Sequence, residues 1–138
     1  MSDNSLKIER VETFILDVPT IRPHVLAMAT MNHQSMVILR LTFSDGTQGI
    51  GEATTIGGLS YGDESPEGIQ LTLDNYRTPM RLKIGYKRID ATMPFFKRNI
   101  FGYRFTKTVV EIALYDALCH RLGVPVSELL GARVVYRL

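Results

Sequence analysis

The stretch that decides the fold is SMVILRLTF at residues 35–43, followed by the turn SDGT at 44–47 and then GIGEA at 49–53. Both flanking segments are rich in residues that favour strands, and Gly46 supplies the positive φ that a tight hairpin turn needs. A third segment of imperfect alternation, KIERVETFILDVP at 7–19, precedes them. The pattern predicts a three-stranded antiparallel meander.

Helical signals follow a loop that contains three glycines, TTIGGLSYGDE, which we call the glycine-rich loop (residues 54–64). Ser65 is a good N-cap and Pro66 suits the first helical position, so a helix is predicted to begin there. A second helix is predicted at 89–100. The order of strands and then helices indicates an α+β domain, with the meander followed by a helical bundle.

The clearest helix is predicted at 104–122, where Gly123 and the following Pro125 end it. Its apolar residues fall on two faces, of which the meander can cover only one. We therefore expect the helix to pack against a second partner outside this chain. One face contains Val110, Ala113, Leu114, Ala117 and Leu118, and the other contains Phe105, Val109 and Ile112.

Composition indicates one globular domain, since 138 residues with 45% hydrophobic and 22% charged residues are typical of that class. Neither a signal peptide nor an apolar run of membrane-spanning length is visible, so we expect a cytoplasmic protein without membrane contact. Basic residues concentrate at 77–107. They could attract an anion or nucleic acid, but a solvated surface is the favoured interpretation and no nucleic-acid partner is predicted.

Residues that carry chemistry are few. His24, His33 and His120 lack the spacing of a metal site, and Cys119 is expected to be a packed thiol. The acidic residues at 63, 64 and 67 are better explained by helix capping than by metal binding. Glu52 could act as an acid, although a hydrogen-bonded structural carboxylate is favoured. The residues alone therefore predict neither a catalytic nor a metal site.

Three segments carry a resemblance: VPTIRPH at 18–24, GIGEATTIGG at 49–58 continuing through YG and ESPE to residue 67, and VPVSELLG at 124–131. Together they resemble muconate cycloisomerase, also called muconate lactonizing enzyme, of the enolase superfamily. The short G-x-G-E-A element is general to the superfamily, whereas PTIRPH with EATTIGG is more specific. These loops resemble the muconate enzymes more than the chloromuconate enzymes.

The resemblance implies an amino-terminal capping domain, at residues 1–132, with 133–138 as the start of a linker to a (β/α) barrel that this sequence lacks. In the family, the barrel holds the catalytic lysines and a Mg or Mn ion and converts cis,cis-muconate to muconolactone in aromatic catabolism. This chain would then be inactive alone and would bind no metal itself. Its implied partners are the small dicarboxylate muconate, the missing barrel and further copies in a homo-oligomer.

Four substrate-binding residues are implied by the same resemblance. Ile21 and His24 belong to a first loop, and Ile56 and Tyr61 belong to the glycine-rich loop. The isoleucines would shape the pocket and exclude water, while His24 and Tyr61 would hydrogen-bond a substrate carboxylate or order the loop. The alternative for Ile56 and Tyr61 is that they only pack within the domain. The alternative for the whole chain is an independent binding or interaction module that keeps the same fold.

Overall fold

The computed structural model describes residues 7–57, 59, 62–76 and 89–131. Within these ranges, three strands form one antiparallel sheet in the order β1-β2-β3, and helices follow it. The predicted α+β layout is therefore confirmed. The elements are β1 (Ile8–Val25), β2 (Thr30–Phe43), β3 (Gln48–Thr54), α1 (Pro66–Asn75), α2 (Ile89–Asn99), α3 (Arg104–Leu122) and α4 (Val126–Leu129).

The core lies between one face of the sheet and the helices. From Val37 to Phe43, every second residue of β2 is buried on this face, because successive side chains of a strand point to opposite sides. Full burial of such a side chain contributes roughly 1.5–3 kcal/mol, so β2 and α3 supply much of the stability. The central members are Val37, Leu39, Leu41 and Phe43 from β2, with Val109, Val110, Ala113 and Leu114 from α3.

Two glycines of β3 allow α3 to lie directly on the strand. A Cβ atom at Gly51 would be 1.9 Å from the Val109 carbonyl oxygen, and one at Gly49 would be 2.0 Å from the Ala113 carbonyl oxygen. No side chain fits at either position without moving the helix. The G-x-G spacing therefore places both glycines on the face of β3 that contacts the α3 backbone.

Two backbone groups on the free edge of β3 have hydrogen-bond partners among the side chains of α3. The Ile50 backbone N–H donates to Asp116 Oδ2 over 2.8 Å, and His120 Nδ1 lies 3.1 Å from the Gln48 carbonyl oxygen. Unpaired strand edges invite pairing with other chains, so these contacts protect the edge as well as fix the helix.

The predicted helix ends are confirmed. The Ser65 hydroxyl accepts a hydrogen bond from the Gly68 N–H over 3.1 Å, with Pro66 at the first position of α1. Gly123 ends α3 in the left-handed conformation, at φ 66°, which glycine adopts without strain.

The second apolar face predicted for α3 is smaller than expected. The assignment of Val109 to this second face is wrong, because Val109 is completely buried in the core of this domain. Phe105 and Ile112 are 38% and 43% exposed, so they remain uncovered by the described residues. The basic residues at 77–88 and the linker residues at 133–138 lie outside the described ranges.

An ion pair between the β2–β3 turn and the end of α3 gives a prediction for pH dependence. Arg121 Nη1 lies 2.8 Å from Asp45 Oδ2, and this hydrogen bond is the main cause that lowers the pKa of Asp45 from 3.8 to about 2. A carboxylate whose pKa is lower in the folded than in the unfolded state stabilises the fold at pH values above its unfolded-state pKa. This stabilisation is lost as the pH falls towards the folded-state pKa.

Asp45→Asn is therefore expected to lower the free energy of unfolding at about pH 6 by up to about 1 kcal/mol, the usual limit for an exposed pair. The difference from the wild-type chain should shrink between about pH 4 and about pH 2. Urea unfolding of both proteins across this range measures it. A difference that stays constant with pH would contradict the assigned role.

Candidate functional site

The β1–β2 ladder continues beyond the three-stranded sheet as a two-stranded extension, which we call the hairpin tip (residues 19–33). The expectation that the strands stop at Pro19 and begin at Ser35 is wrong, since pairing continues to Val25 opposite Thr30. Prolines are tolerated because β1 is an edge strand and the register shifts between Pro19 and His24. The predicted first loop is therefore part of a hairpin.

The two predicted residues of this segment point away from the core. Ile21 is fully exposed, with 106% of its reference area accessible. His24 is also exposed and pairs with Met31 in the ladder. The hairpin closes where the Leu26 N–H donates to the Ala29 carbonyl over 2.8 Å. Both Ile21 and His24 thus lie where another surface can reach them.

The near end of the glycine-rich loop lies against the hairpin. Thr55 is 5% exposed, and its carbonyl accepts a hydrogen bond from Gln34 Nε2. Ile56 follows, half exposed, and Gly57 adopts a left-handed φ of 61° that turns the chain. Tyr61, the other predicted residue of this loop, lies outside the described residues.

The far end of the same loop is fixed by a buried carboxylate. Glu64 is 3% exposed and accepts hydrogen bonds from the backbone N–H groups of Phe105 and Thr106, at 2.8 and 3.1 Å, and from the Thr106 hydroxyl at 3.1 Å. The interpretation of Glu64 as a capping residue holds, but the helix is α3 and not the adjacent α1. A carboxylate at the positive end of a helix dipole is favourable there.

A groove of about 240 Å³ lies between the hairpin and the start of the loop. Its walls are mostly polar, whereas Ile21, His24 and Ile56 lie outside its lining. These wall residues were not predicted from the sequence. The run of polar residues directly before the buried apolar residues of β2 is a signal that could have indicated them. The lining consists of Ala29, Thr30, Met31, Asn32, His33, Gln34, Ser35, Thr55 and Gly57.

Three polar side chains beside the groove resemble a nucleophile site in composition but not in geometry. The Ser35 hydroxyl donates to Asp17 Oδ1 over 2.5 Å, and His33 Nε2 is 3.9 Å from the same oxygen. A serine nucleophile is activated by a histidine that accepts its proton, which this arrangement does not provide.

Among the described residues, no three His, Cys, Asp or Glu side chains are placed to hold a metal ion.

Cys119 is 5% exposed within α3, as expected for a packed thiol. Burial raises its pKa, and the charge of Asp116 raises it further. The reactive thiolate is therefore disfavoured at neutral pH.

Several of the most exposed apolar side chains lie on the two segments that flank the groove, although others, such as Phe101 and Leu130, lie elsewhere. Ile21, Val25 and Met28 of the hairpin tip are each at least 73% exposed, and Leu59 of the glycine-rich loop is 65% exposed. Ile56 is 49% exposed. Grouped exposed apolar residues mark surfaces that bind a ligand or another protein surface.

None of the helices in the described ranges is long and apolar enough to cross a membrane.

Comparison with protein families gives a match over residues 10–131 to the model described as mandelate racemase / muconate lactonizing enzyme, N-terminal domain. Muconate cycloisomerase 1 of Pseudomonas putida is 52% identical over 132 residues, which cover 94% of this chain and 35% of the relative. Muconate cycloisomerase 1-2 of Acinetobacter lwoffii is 50% identical, with 94% and 34% covered. A chloromuconate cycloisomerase of Cupriavidus necator is 34% identical.

Among solved structures, the muconate lactonizing enzyme of Pseudomonas fluorescens complexed with muconolactone superimposes with a TM-score of 0.87 at 49% identity. The match covers 96% of this chain and 36% of that enzyme. The sequence thus spans about a third of the length of the relatives it matches. It corresponds to their amino-terminal domain and does not include the larger remaining part.

Proposed function

Because the chain belongs to the mandelate racemase / muconate lactonizing enzyme N-terminal domain family, we propose that it is the substrate-capping domain of a muconate cycloisomerase. In this role it selects cis,cis-muconate for conversion to muconolactone by a (β/α) barrel. Residues 1–132 make up the capping domain, and 133–138 begin the linker. A cytoplasmic location and a homo-oligomeric state stay predictions.

The observation that carries the proposal is that the hairpin tip and the glycine-rich loop both line one groove and both carry exposed apolar side chains. These apolar side chains, of which Ile21, Met28 and Ile56 are examples, lie partly or fully in solvent in this chain. A barrel mouth that covered them would bury this surface and exclude water from a bound substrate. Substrate pockets are mostly apolar with a few polar groups, and the groove wall can supply those groups.

The proposed roles of the four residues follow from their chemistry. Ile21 and Ile56 close over the carbon chain of the substrate. His24 and Tyr61 hydrogen-bond a carboxylate or order their segments. The Thr55 hydroxyl, which is buried and has no hydrogen-bond partner among the described residues, is a further donor beside the groove.

The resemblance also implies a Mg or Mn ion. The described residues do not bring together the carboxylate and imidazole groups that would hold one. The metal would therefore be held by residues outside this part of the chain, and the role proposed for this domain involves no metal ligand.

A chimera tests the proposed function. This chain is joined, at residue 131 where the family match ends, to the remainder of the Pseudomonas putida enzyme, and lactone formation from cis,cis-muconate is followed. The chimera should form the lactone, whereas the chain alone should form none. Ile56→Ala in the chimera should raise KM by about tenfold, since closure over substrate buries this side chain.

Leu71→Ala is the matched control, because Leu71 is an exposed aliphatic residue of α1 that lies outside both segments. Its KM should equal that of the parent chimera. Lactone formation by the isolated chain, or a well-folded chimera without activity, would refute the capping role.

The alternative of an independent binding module predicts a monomer without a large apolar patch. The exposed apolar residues of the hairpin tip and loop do not favour it. Binding of a hydrophobic dye to the isolated chain, together with size-exclusion chromatography, separates the two proposals. Strong dye binding or self-association supports a domain whose partner surface is missing.

A further inference from the structure

Gln34 lies at the point where β2 leaves the three-stranded sheet. The last pair between β2 and β3 is Met36 with Thr54, whereas β2 continues to pair with β1, so that Gln34 lies opposite Val18. Beyond this pair, the backbone of the glycine-rich loop is no longer held by the ladder. The loop therefore needs another contact to fix its direction.

The side chain of Gln34 supplies that contact. Its Nε2 atom donates to the Thr55 carbonyl oxygen over 2.5 Å and lies 3.3 Å from the Ser35 carbonyl oxygen. The first bond continues the ladder by one step, with a side-chain amide in place of a backbone N–H. Since Thr55 is buried, its carbonyl would otherwise lose a partner that water cannot easily replace.

Ile56 follows directly after this bonded carbonyl. The far end of the loop is held separately. Glu64, eight residues further along the chain than Ile56, accepts hydrogen bonds from the backbone of α3. The placement of Ile56 thus depends on the near end of the loop, which the Gln34 side chain ties to β2.

We propose that Gln34 is a positioning residue that couples the hairpin tip to the glycine-rich loop, so that the two segments keep a fixed relative position. A shift of the hairpin is transmitted through the Gln34–Thr55 bond to Ile56. The coupling is a property of this chain, and only its effect on substrate rests on the proposed function.

Backbone NMR order parameters of the isolated chain test the coupling. Gln34→Met keeps the length of the side chain and removes the donor, so the order parameters of the Ile56 and Gly57 amides should fall from about 0.85, the value of rigid backbone, to below about 0.6. The order parameter of Leu39 in the core should not change, which shows that the domain stays folded. Gln34→Glu, which also lacks the donor at neutral pH, should act in the same direction.

Gln70→Met is the matched control, because the amide of Gln70 also donates to a backbone carbonyl, that of Thr13, over 3.4 Å, but on α1. It should leave the order parameters of Ile56 and Gly57 unchanged. Equal order parameters there in Gln34→Met and Gln70→Met would overturn the proposal.

A double-mutant cycle distinguishes coupling from local support. Val25→Gly loosens the last pair of the hairpin, opposite Thr30. The order parameter of Ile56 should fall with Val25→Gly when Gln34 is present and should not fall further in the Gln34→Met background. Additive effects of the two changes would show that the hairpin and loop are independent.

The chimera with the barrel of the relative gives the functional readout. Gln34→Met should raise KM for muconate by about fivefold with kcat within about twofold, because a displaced Ile56 weakens binding in the ground and transition states alike. An inactive parent chimera would refute the capping role while the order parameters still decide the coupling. An active chimera in which Gln34→Met leaves KM unchanged would remove Gln34 from substrate positioning.

Discussion

Gly51→Ala is expected to destabilise the domain by about 3 kcal/mol or more, at the upper end of the range for overpacked cores. The added Cβ atom would be 1.9 Å from the Val109 carbonyl oxygen and 3.0 Å from the Ala113 backbone nitrogen. Both atoms belong to the helix backbone, which no rotamer change can move. The strand and α3 must separate, and the core between them loses contacts. Urea unfolding followed by circular dichroism measures the loss.

Gly68→Ala provides the same chemical change in a different setting. A Cβ atom at Gly68 would have only ordinary contact, with Ser65 Oγ at 3.4 Å. Alanine favours a helix over glycine by roughly 1 kcal/mol, so this variant should be as stable as the wild-type chain or more so. Equal stability of Gly51→Ala and Gly68→Ala would mean that α3 does not lie directly on β3.

Glu64→Ala is expected to cost about 3 kcal/mol, because it leaves buried donors at the start of α3 without an acceptor. The carboxylate accepts from two backbone N–H groups and one hydroxyl, and it is 3% exposed. Exchange of the Phe105 and Thr106 amides should accelerate more than that of Val110, which has its own intrahelical partner. Chemical denaturation and hydrogen exchange together check this expectation.

Glu67→Ala is the control for Glu64→Ala. Glu67 is exposed in the first turn of α1, where a charge contributes at most about 1 kcal/mol through the helix dipole. A loss for Glu64→Ala no greater than for Glu67→Ala would show that the buried carboxylate does not hold α3.

The elements of this fold were largely predictable because their signals are local. Ser65, Pro66 and Gly123 act through contacts with residues a few positions away, and the structure confirms the helix ends that they predict. The close approach of Gly49 and Gly51 to α3 was missed. Two glycines on the same face of a strand are a signal for such an approach.

The site was predicted less well because its contacts join distant parts of the chain. Glu64 caps a helix 41 residues away, and Gln34 bonds a carbonyl 21 residues away. No periodicity or spacing reports such contacts. The hairpin tip was missed for a different reason. Prolines usually argue against a strand, but β1 is an edge strand and its ladder shifts register where they occur.

In the capping role proposed above, the shape of the hairpin tip also bears on how substrate range can change. On the β2 side the tip runs only from His33 to Thr30, three steps of roughly 3.3 Å, so it extends about 10 Å beyond the Pro19–His33 pair. A rotation of about 10° at its root moves the end by about 2 Å, slightly more than one carbon–carbon bond. If the tip closes over substrate as proposed, substitutions at Pro19 or Thr20 are expected to change the size of the space beneath it without altering a side chain that touches the substrate.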